Sequence, residues 1–354
     1  MGDPMDDRYS SKLSPAVDYA AGAFLFLVAL LTLLGNMLVL ITAFKRRSQI
    51  KPAELLSVNL ALTDLGAALS MYPMAIAASW SHGWVGGPPA CRYYGMMGFL
   101  FGVASIATLT AMAGVRFIVC LSVQSPKEKL SLRGVWVLVA CTWLYGLLWA
   151  LLPLLGWGRY GPEPFGTSCS LAWGDLGDAS GAFVFVMFSL VLVLPAAVII
   201  ACYSGLVLRL HRAYKTVHSR RLPSVIKTQR KLVLIAVLVS AGFLGSWAPY
   251  AAVSLWSVLQ ATPVPPSLAL LPCLLAKSST VVNPLVYYLF SHTFRRAVRN
   301  LPWTCWPADT LGGAEASPPR TPPQEQNRGA ERLELHSRAD TEPAQADIHA
   351  NMHT

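Results

Sequence analysis

Seven stretches of apolar residues, each long enough to cross a bilayer as a helix, run approximately over residues 20–44, 54–80, 92–121, 133–156, 181–210, 229–260 and 267–290. Hydrocarbon offers no hydrogen-bond partner to the backbone, so a spanning chain is limited to helices or a closed barrel, and runs of about 20 apolar residues select helices. The expectation is an all-α membrane protein, a bundle of seven transmembrane helices. The composition agrees: of 354 residues 54% are hydrophobic and only 13% charged, far from the average of a soluble domain. An odd number of crossings puts the termini on opposite sides. Lys45, Arg46, Arg47 and Lys51 follow span one; Lys127, Lys129 and Arg133 follow span three; Arg212, Lys215, Arg220, Arg221 and Lys227 follow span five. The excess of basic residues marks those linkers and the C-terminus as cytoplasmic and the N-terminus as extracellular. The formal charge of +10 therefore reflects topology and contact with membrane lipids, and no nucleic-acid partner is expected.

Four regions are expected: an extracellular segment over 1–19, the bundle over 20–290, a short amphipathic eighth helix over 291–302 and a cytoplasmic tail over 303–354. The tail turns rich in Pro, Glu, Ser and Thr from Pro307 onward, a composition that buries too little apolar surface to fold. The first apolar stretch is too long for a cleavable signal and lacks a basic flank, so span one is expected to act as a signal anchor. No N-x-S/T sequon occurs, and no metal site is expected. Of the seven cysteines, Cys120, Cys141, Cys202 and Cys273 lie in spans and read as small packing groups. Cys91, at the head of span three, and Cys169, between spans four and five, both face an oxidising compartment and are expected to form a disulfide. Cys305 follows the basic amphipathic stretch Ser291 to Leu301. It is either a palmitoylation site or a free cytosolic thiol.

Lys277 is a basic residue inside the seventh span, in LLAKSSTVVNPLVYYLF. An ammonium in hydrocarbon is costly, so an intramembrane lysine needs a partner or a reaction. Pro284 lies seven residues on, which at about 100° per residue returns to nearly the same helical face. Lys277 thus sits two turns from a helix break, pointing into the bundle. A buried amine that loses its proton is a nucleophile and condenses with an aldehyde to a Schiff base, the chemistry of a retinal-binding protein. The plainer alternative is a salt-bridge partner in a receptor for peptides or amines. Asn36, Asp64 and Asn283 would all fall near mid-membrane, where isolated polar groups are costly unless they meet each other or water. A shared polar network is expected, serving either as static glue or as a wet cluster that repacks.

Gly35-Asn36 in span one, Asp64 in span two, Cys91 in span three, Trp143 in span four and Pro195 with Tyr203 in span five match the marks of one family. Phe243, Trp247-Ala248-Pro249 and Asn283-Pro284-Leu285-Val286-Tyr287, followed by Phe294, complete the set. The chain resembles the rhodopsin-class G-protein-coupled receptors over about residues 15–302. Lys277 stands six residues before Asn283, where opsins carry their retinal lysine. The strings GRYGPEPFGTSCSLAW, LLAKS and WAPYAAVSLW resemble the neuropsin group of non-visual opsins. The resemblance implies a plasma-membrane photoreceptor with retinal bound covalently at Lys277, and Arg116, Tyr203, Asn283, Pro284 and Tyr287 in activation and coupling to a heterotrimeric G protein. It also implies arrestin and a receptor kinase as partners of the tail.

A protonated Schiff base in a low-dielectric pocket needs an anion. Three residues on from Cys91, where many visual opsins place a glutamate, stands Tyr94; six residues before Cys169 stands Glu163, in the loop that resembles the retinal-covering plug of opsins. Glu163 is the counterion candidate, with a solvated loop acid as the alternative. Tyr94, Trp247 and Tyr250 are expected to line the chromophore site.

The family pattern breaks at the end of span three, where an acid usually precedes the arginine. The triplet here is Val115-Arg116-Phe117, and the position in span six that often supplies a second acid is Gln229. Loss of the anion shifts the resting equilibrium toward active conformations. Two readings follow, a light-sensing receptor and, from another class, a retinal photoisomerase that signals little. The intact Arg116, Tyr203, Asn283, Pro284 and Tyr287 favour the receptor over an enzyme. A light-driven pump is disfavoured because proton-relay carboxylates beyond Asp64 are missing from the spans.

Overall fold

The computed structural model describes residues 7–52, 54–121, 131–173, 178–216, 223–260 and 264–300. Seven helices in it are long and apolar enough to cross a membrane. They are α1 (Pro15–Lys45), α2 (Glu54–Trp80), α3 (Gly87–Leu121), α4 (Leu132–Leu151, extended by a 3-10 turn at Leu152–Leu155), α5 (Asp178–Met187 and Leu194–Thr216), α6 (Pro223–Gln260) and α7 (Pro266–Phe290). A short α8 follows at His292–Arg299. α3 is the axis, packed against α2, α4, α5 and α6, and α1 and α7 close the ring. Side chains facing away from the bundle are apolar and exposed, Leu69 at 66% and Leu144 at 65% among them, as lipid-facing residues must be.

α1 starts at Pro15, inside the stretch that hydropathy assigns to the N-terminal segment. Ser14 is its N-cap residue and Pro15 occupies the first turn, where a missing N–H costs nothing. Asp18, which breaks the apolar run, is fully buried and meets His82 at 3.1 Å. α6 likewise begins before its apolar run, and α8 is shorter than expected, with Ser291 as its cap accepting from the Phe294 N–H. The tail, with Cys305, lies outside the described residues.

Prolines shape the spans. Pro195 has no N–H and its ring crowds the preceding turn. The helix widens into a π turn at Phe188–Val193, where the Leu194 N–H goes to the Ser189 carbonyl. The freed Leu190 carbonyl accepts from the Tyr145 hydroxyl at 3.0 Å. Pro284 similarly leaves the Thr280 carbonyl without a helical donor, and the Asn36 amide supplies one at 3.0 Å. α1 reaches α7 this closely because residue 35 is glycine: a Cβ there would stand 2.6 Å from the Pro284 ring.

Between α4 and α5 an antiparallel hairpin, β1 (Tyr160–Pro162) and β2 (Cys169–Leu171), pairs Tyr160 with Leu171 and Pro162 with Cys169. Cys91 and Cys169 form the expected disulfide, with Cα atoms 5.4 Å apart, tying the hairpin to the head of α3. The N-terminal segment lies across it. Lys12 N–H bonds the Phe165 carbonyl at 3.2 Å, Trp84 N–H bonds the Tyr9 carbonyl at 2.7 Å, and Ser10 bridges Gly83.

Candidate functional site

Lys277 opens onto a cavity of about 180 Å³ walled by α2, α3, α5, α6, α7 and the hairpin. Most of the wall is apolar, with Phe99, Phe188, Val191 and Trp247 among its side chains, and the cavity runs from Glu163 and Tyr250 in the direction of Thr63 and Asp64. Of the five expected chromophore contacts, Glu163, Trp247, Tyr250 and Lys277 line it. Tyr94 is fully buried behind the lysine, whose Nζ lies 5.7 Å from its ring centre, within cation–π range.

The lysine is held from both sides. Its backbone carbonyl accepts from the Tyr72 hydroxyl at 2.7 Å, and its Nζ donates to Cys273 Sγ, one turn away, at 2.9 Å. Among the described residues no carboxylate oxygen lies within 4.0 Å of Nζ. Lys277 and Glu163 share the cavity without touching.

Glu163 owes its place to the hairpin. Its N–H bonds the Ser168 carbonyl at 2.8 Å, continuing the β1–β2 ladder, and its own carbonyl accepts from Gly166 at 2.9 Å to close the turn. The carboxylate is 6% exposed and accepts a 2.6 Å hydrogen bond from the Tyr250 hydroxyl. Tyr250 in turn accepts from the Trp173 indole at 3.1 Å. Burial lifts the Glu163 carboxyl above its ordinary value of 4.5, against the opposing pull of Tyr250, Ser170 and the Lys277 charge. A solvated loop acid is therefore not what the chain has built. Below Tyr250, Trp247 packs edge-on to it at 6.0 Å, stacks on Phe243 at 5.8 Å and donates to Ser279 at 3.2 Å.

The polar residues of the spans meet only in part. Asn283 donates to Asp64 at 2.8 Å, but the Asn36 Nδ2 goes to the Thr32 and Thr280 carbonyls, and its Oδ1 is buried with no direct partner among the described residues. The three do not form one directly bonded cluster, because the Pro284 break gives Asn36 a nearer acceptor. At the other end of the bundle Val115 is buried, and among the described residues no carboxylate pairs with Arg116. The hydroxyls of Tyr203, Ser240 and Tyr287 are buried, and none has a hydrogen-bond partner within 3.5 Å among the described residues.

The sequence matches the family described as "7 transmembrane receptor (rhodopsin family)" over residues 35–287. It is 37% identical over 295 residues to Opsin-5 of Mus musculus, covering 82% of this chain and 78% of that one. The chain belongs to the opsins of the rhodopsin family. A second relative, "Rhodopsin, GQ-coupled" of Mizuhopecten yessoensis, is 30% identical, covering 80% of this opsin and 60% of that protein. The crystal structure of squid rhodopsin superposes with a TM-score of 0.75 at 27% identity, covering 84% of this opsin and 89% of that chain.

Three residues of this opsin's site escape a reading of the sequence. Tyr72 and Trp173 look like ordinary aromatic residues at a span and a loop end. Cys273 reads as small packing, whereas the structure puts its thiol on the lysine amine. Its spacing of four from Lys277 was the available signal, since residues one turn apart on a helix are neighbours.

Proposed function

We propose that this opsin is a light-sensing receptor of the plasma membrane, its N-terminus outside, that holds retinal covalently on Lys277 and activates a heterotrimeric G protein. The observation that carries this reading is the Lys277 amine opening into an apolar cavity that a buried carboxylate, Glu163, also lines. The residues fit the group: an elongated apolar polyene suits the Phe99, Phe188, Val191 and Trp247 surfaces, and an aldehyde suits the amine. When bound, retinal supplies absorption of light and a change of shape. The protein's part is to hold and read that change. Tyr72 fixes the backbone at Lys277, and the hairpin, held by the disulfide and the N-terminal segment, covers the cavity. Glu163, anchored by Tyr250 and through it Trp173, balances positive charge at the lysine nitrogen through space rather than by contact. Trp247 and Tyr250 lie on one face of α6 against the cavity, so a side chain pushed there moves α6, in which Pro249 removes one hydrogen bond from the ladder. At the far end, the buried hydroxyls of Tyr203 and Tyr287 are available to new partners once α5, α6 and α7 separate.

A G-protein partner is supported by the receptor family and by the name of the Mizuhopecten yessoensis relative. The photoisomerase alternative rests on one observation, the missing acid at Val115. The deciding experiment is an absorption spectrum of purified protein with cis- and all-trans-retinal, before and after illumination, alongside G-protein nucleotide exchange. Lys277→Ala is expected to abolish the borohydride-trapped adduct and the light-dependent spectrum. Retinal still covalently bound to that variant removes Lys277 from its role. Photoisomerisation without exchange on any G protein awards the function to the photoisomerase.

A further inference from the structure

Cys273 is a buried nucleophile that the proposed function does not use. Its side chain is 5% exposed and lines the same cavity as Lys277. Its sulfur is 2.9 Å from the amine nitrogen, so whatever carbon bonds to Nζ also lies beside Sγ. The pair is not a fortuitous surface contact, because Tyr72 holds the lysine backbone and Pro272 and Pro284 bracket the segment that carries both residues. A second cavity of about 10 Å³, lined by Ser79, Ser168, Cys273 and Lys277 among others, adjoins them. That is room for about one water, the product of a condensation.

Resting on the reading of Lys277 as the attachment point, we propose that Cys273 and Lys277 form a two-nucleophile capture site for a conjugated aldehyde. In the first step the thiol passes its proton to Nζ and the thiolate adds to the carbonyl carbon: the S–C bond forms, the carbonyl π pair moves to oxygen, and oxygen takes the proton back from Nζ, giving a hemithioacetal beside a neutral amine. In the second step Nζ attacks the same carbon, the C–S bond breaks with its electron pair leaving on sulfur, and sulfur regains a proton from the nitrogen. Loss of water then leaves the lysine imine. The sequence of bonds is redox-neutral and returns the thiol unchanged. Its advantage is that the thiolate, a stronger nucleophile than the amine, captures the aldehyde while Nζ moves the proton, and that two nucleophiles at contact distance act at high effective concentration.

The test uses the full-length receptor without chromophore. Retinal is added to wild type, Cys273→Ala and Cys273→Ser, and formation of the borohydride-trapped lysine adduct is followed in time. The proposal expects both variants to load to the same final extent but about tenfold more slowly. Equal rates in all three proteins overturn it, whereas failure of wild type to form the adduct overturns the Lys277 reading instead. A second measurement needs no loaded receptor. In Lys277→Ala, alkylation of Cys273 by a small maleimide is mapped by peptide mass with retinal or with retinol present. Retinal is expected to slow alkylation reversibly and retinol, which fills space but has no electrophilic carbon, to slow it at least about tenfold less. Equal protection by the two overturns the proposal, since the cavity is then merely occupied.

Discussion

Glu163 and Lys277 illustrate how a charge pair works without contact. Two unit charges several ångströms apart in a medium of low dielectric still interact by more than thermal energy, so the absence of an ion pair within 4.0 Å does not remove Glu163 from the counterion role. It does predict a soft one. With retinal bound, Glu163→Gln is expected to increase the unprotonated, ultraviolet-absorbing fraction, read in spectral titrations of both proteins at low and high chloride; superimposable curves exclude the role. Without chromophore the same residue makes a contribution to stability that depends on pH. Its folded carboxyl binds the proton more tightly than the unfolded chain does, because burial raises it above 4.5. That stabilisation is fully present below the unfolded value and is lost as pH rises through the raised one. The Tm of the chromophore-free wild type, relative to that of Glu163→Gln, is therefore expected to fall as pH rises from the acid side of 4.5 toward neutrality. A difference independent of pH contradicts it.

At the scale of elements, the hairpin is a lid whose register and tether together place one side chain. β1 and β2 contribute three residues each, too few to be stable alone. What holds them is the Cys91–Cys169 bond at one edge and the N-terminal strap across the turn. Loss of the bond in Cys169→Ser is expected to cost about 2–5 kcal/mol, as for native disulfides in small domains, lowering Tm and weakening the hold on Glu163. Borohydride trapping should then show faster loss of bound retinal. A variant as stable as wild type that retains retinal equally well indicates that the strap alone suffices. The prolines Pro195 of α5 and Pro284 of α7 show the same economy. Each proline frees a carbonyl, and each freed carbonyl meets a side chain from a neighbouring helix, Tyr145 in one case and Asn36 in the other.

Over the whole molecule, the two ends of the bundle differ in how firmly they are closed. The Cys91 end carries a disulfide, a hairpin and a strap. The Arg116 end has buried hydroxyls without close partners among the described residues and an arginine beside Val115 instead of an acid. An ion pair confined to the inactive state biases the equilibrium by its own strength, and 1.4 kcal/mol is about a factor of ten. Val115→Asp is expected to add about 1–3 kcal/mol of such bias and to cut nucleotide exchange in the dark by roughly fivefold or more. The check is exchange by a panel of purified G proteins in darkness and light. Unchanged dark exchange in a wild type that has it contradicts the lock argument.

The sequence by itself determined the seven spans, the membrane setting, the disulfide and the lysine in the last span. These depend on local quantities: the hydropathy of a window, the identity of one residue, the side of the membrane on which a cysteine lies. Only the tertiary structure decided which groups those residues meet. Tyr250 reaches Glu163 across 87 positions of sequence and Asn36 reaches Thr280 across 244, distances over which periodicity carries no information about helix rotation or depth. Polarity and depth predict a network shared by Asn36, Asp64 and Asn283, whereas the Asn36 Nδ2 serves the carbonyl that Pro284 frees, because an unpaired backbone acceptor in hydrocarbon is costly. Cys273 had its spacing written in the chain, but that its side chain is buried beside Phe165 and Tyr250 rather than facing lipid follows from how α7 packs against α6 and the hairpin.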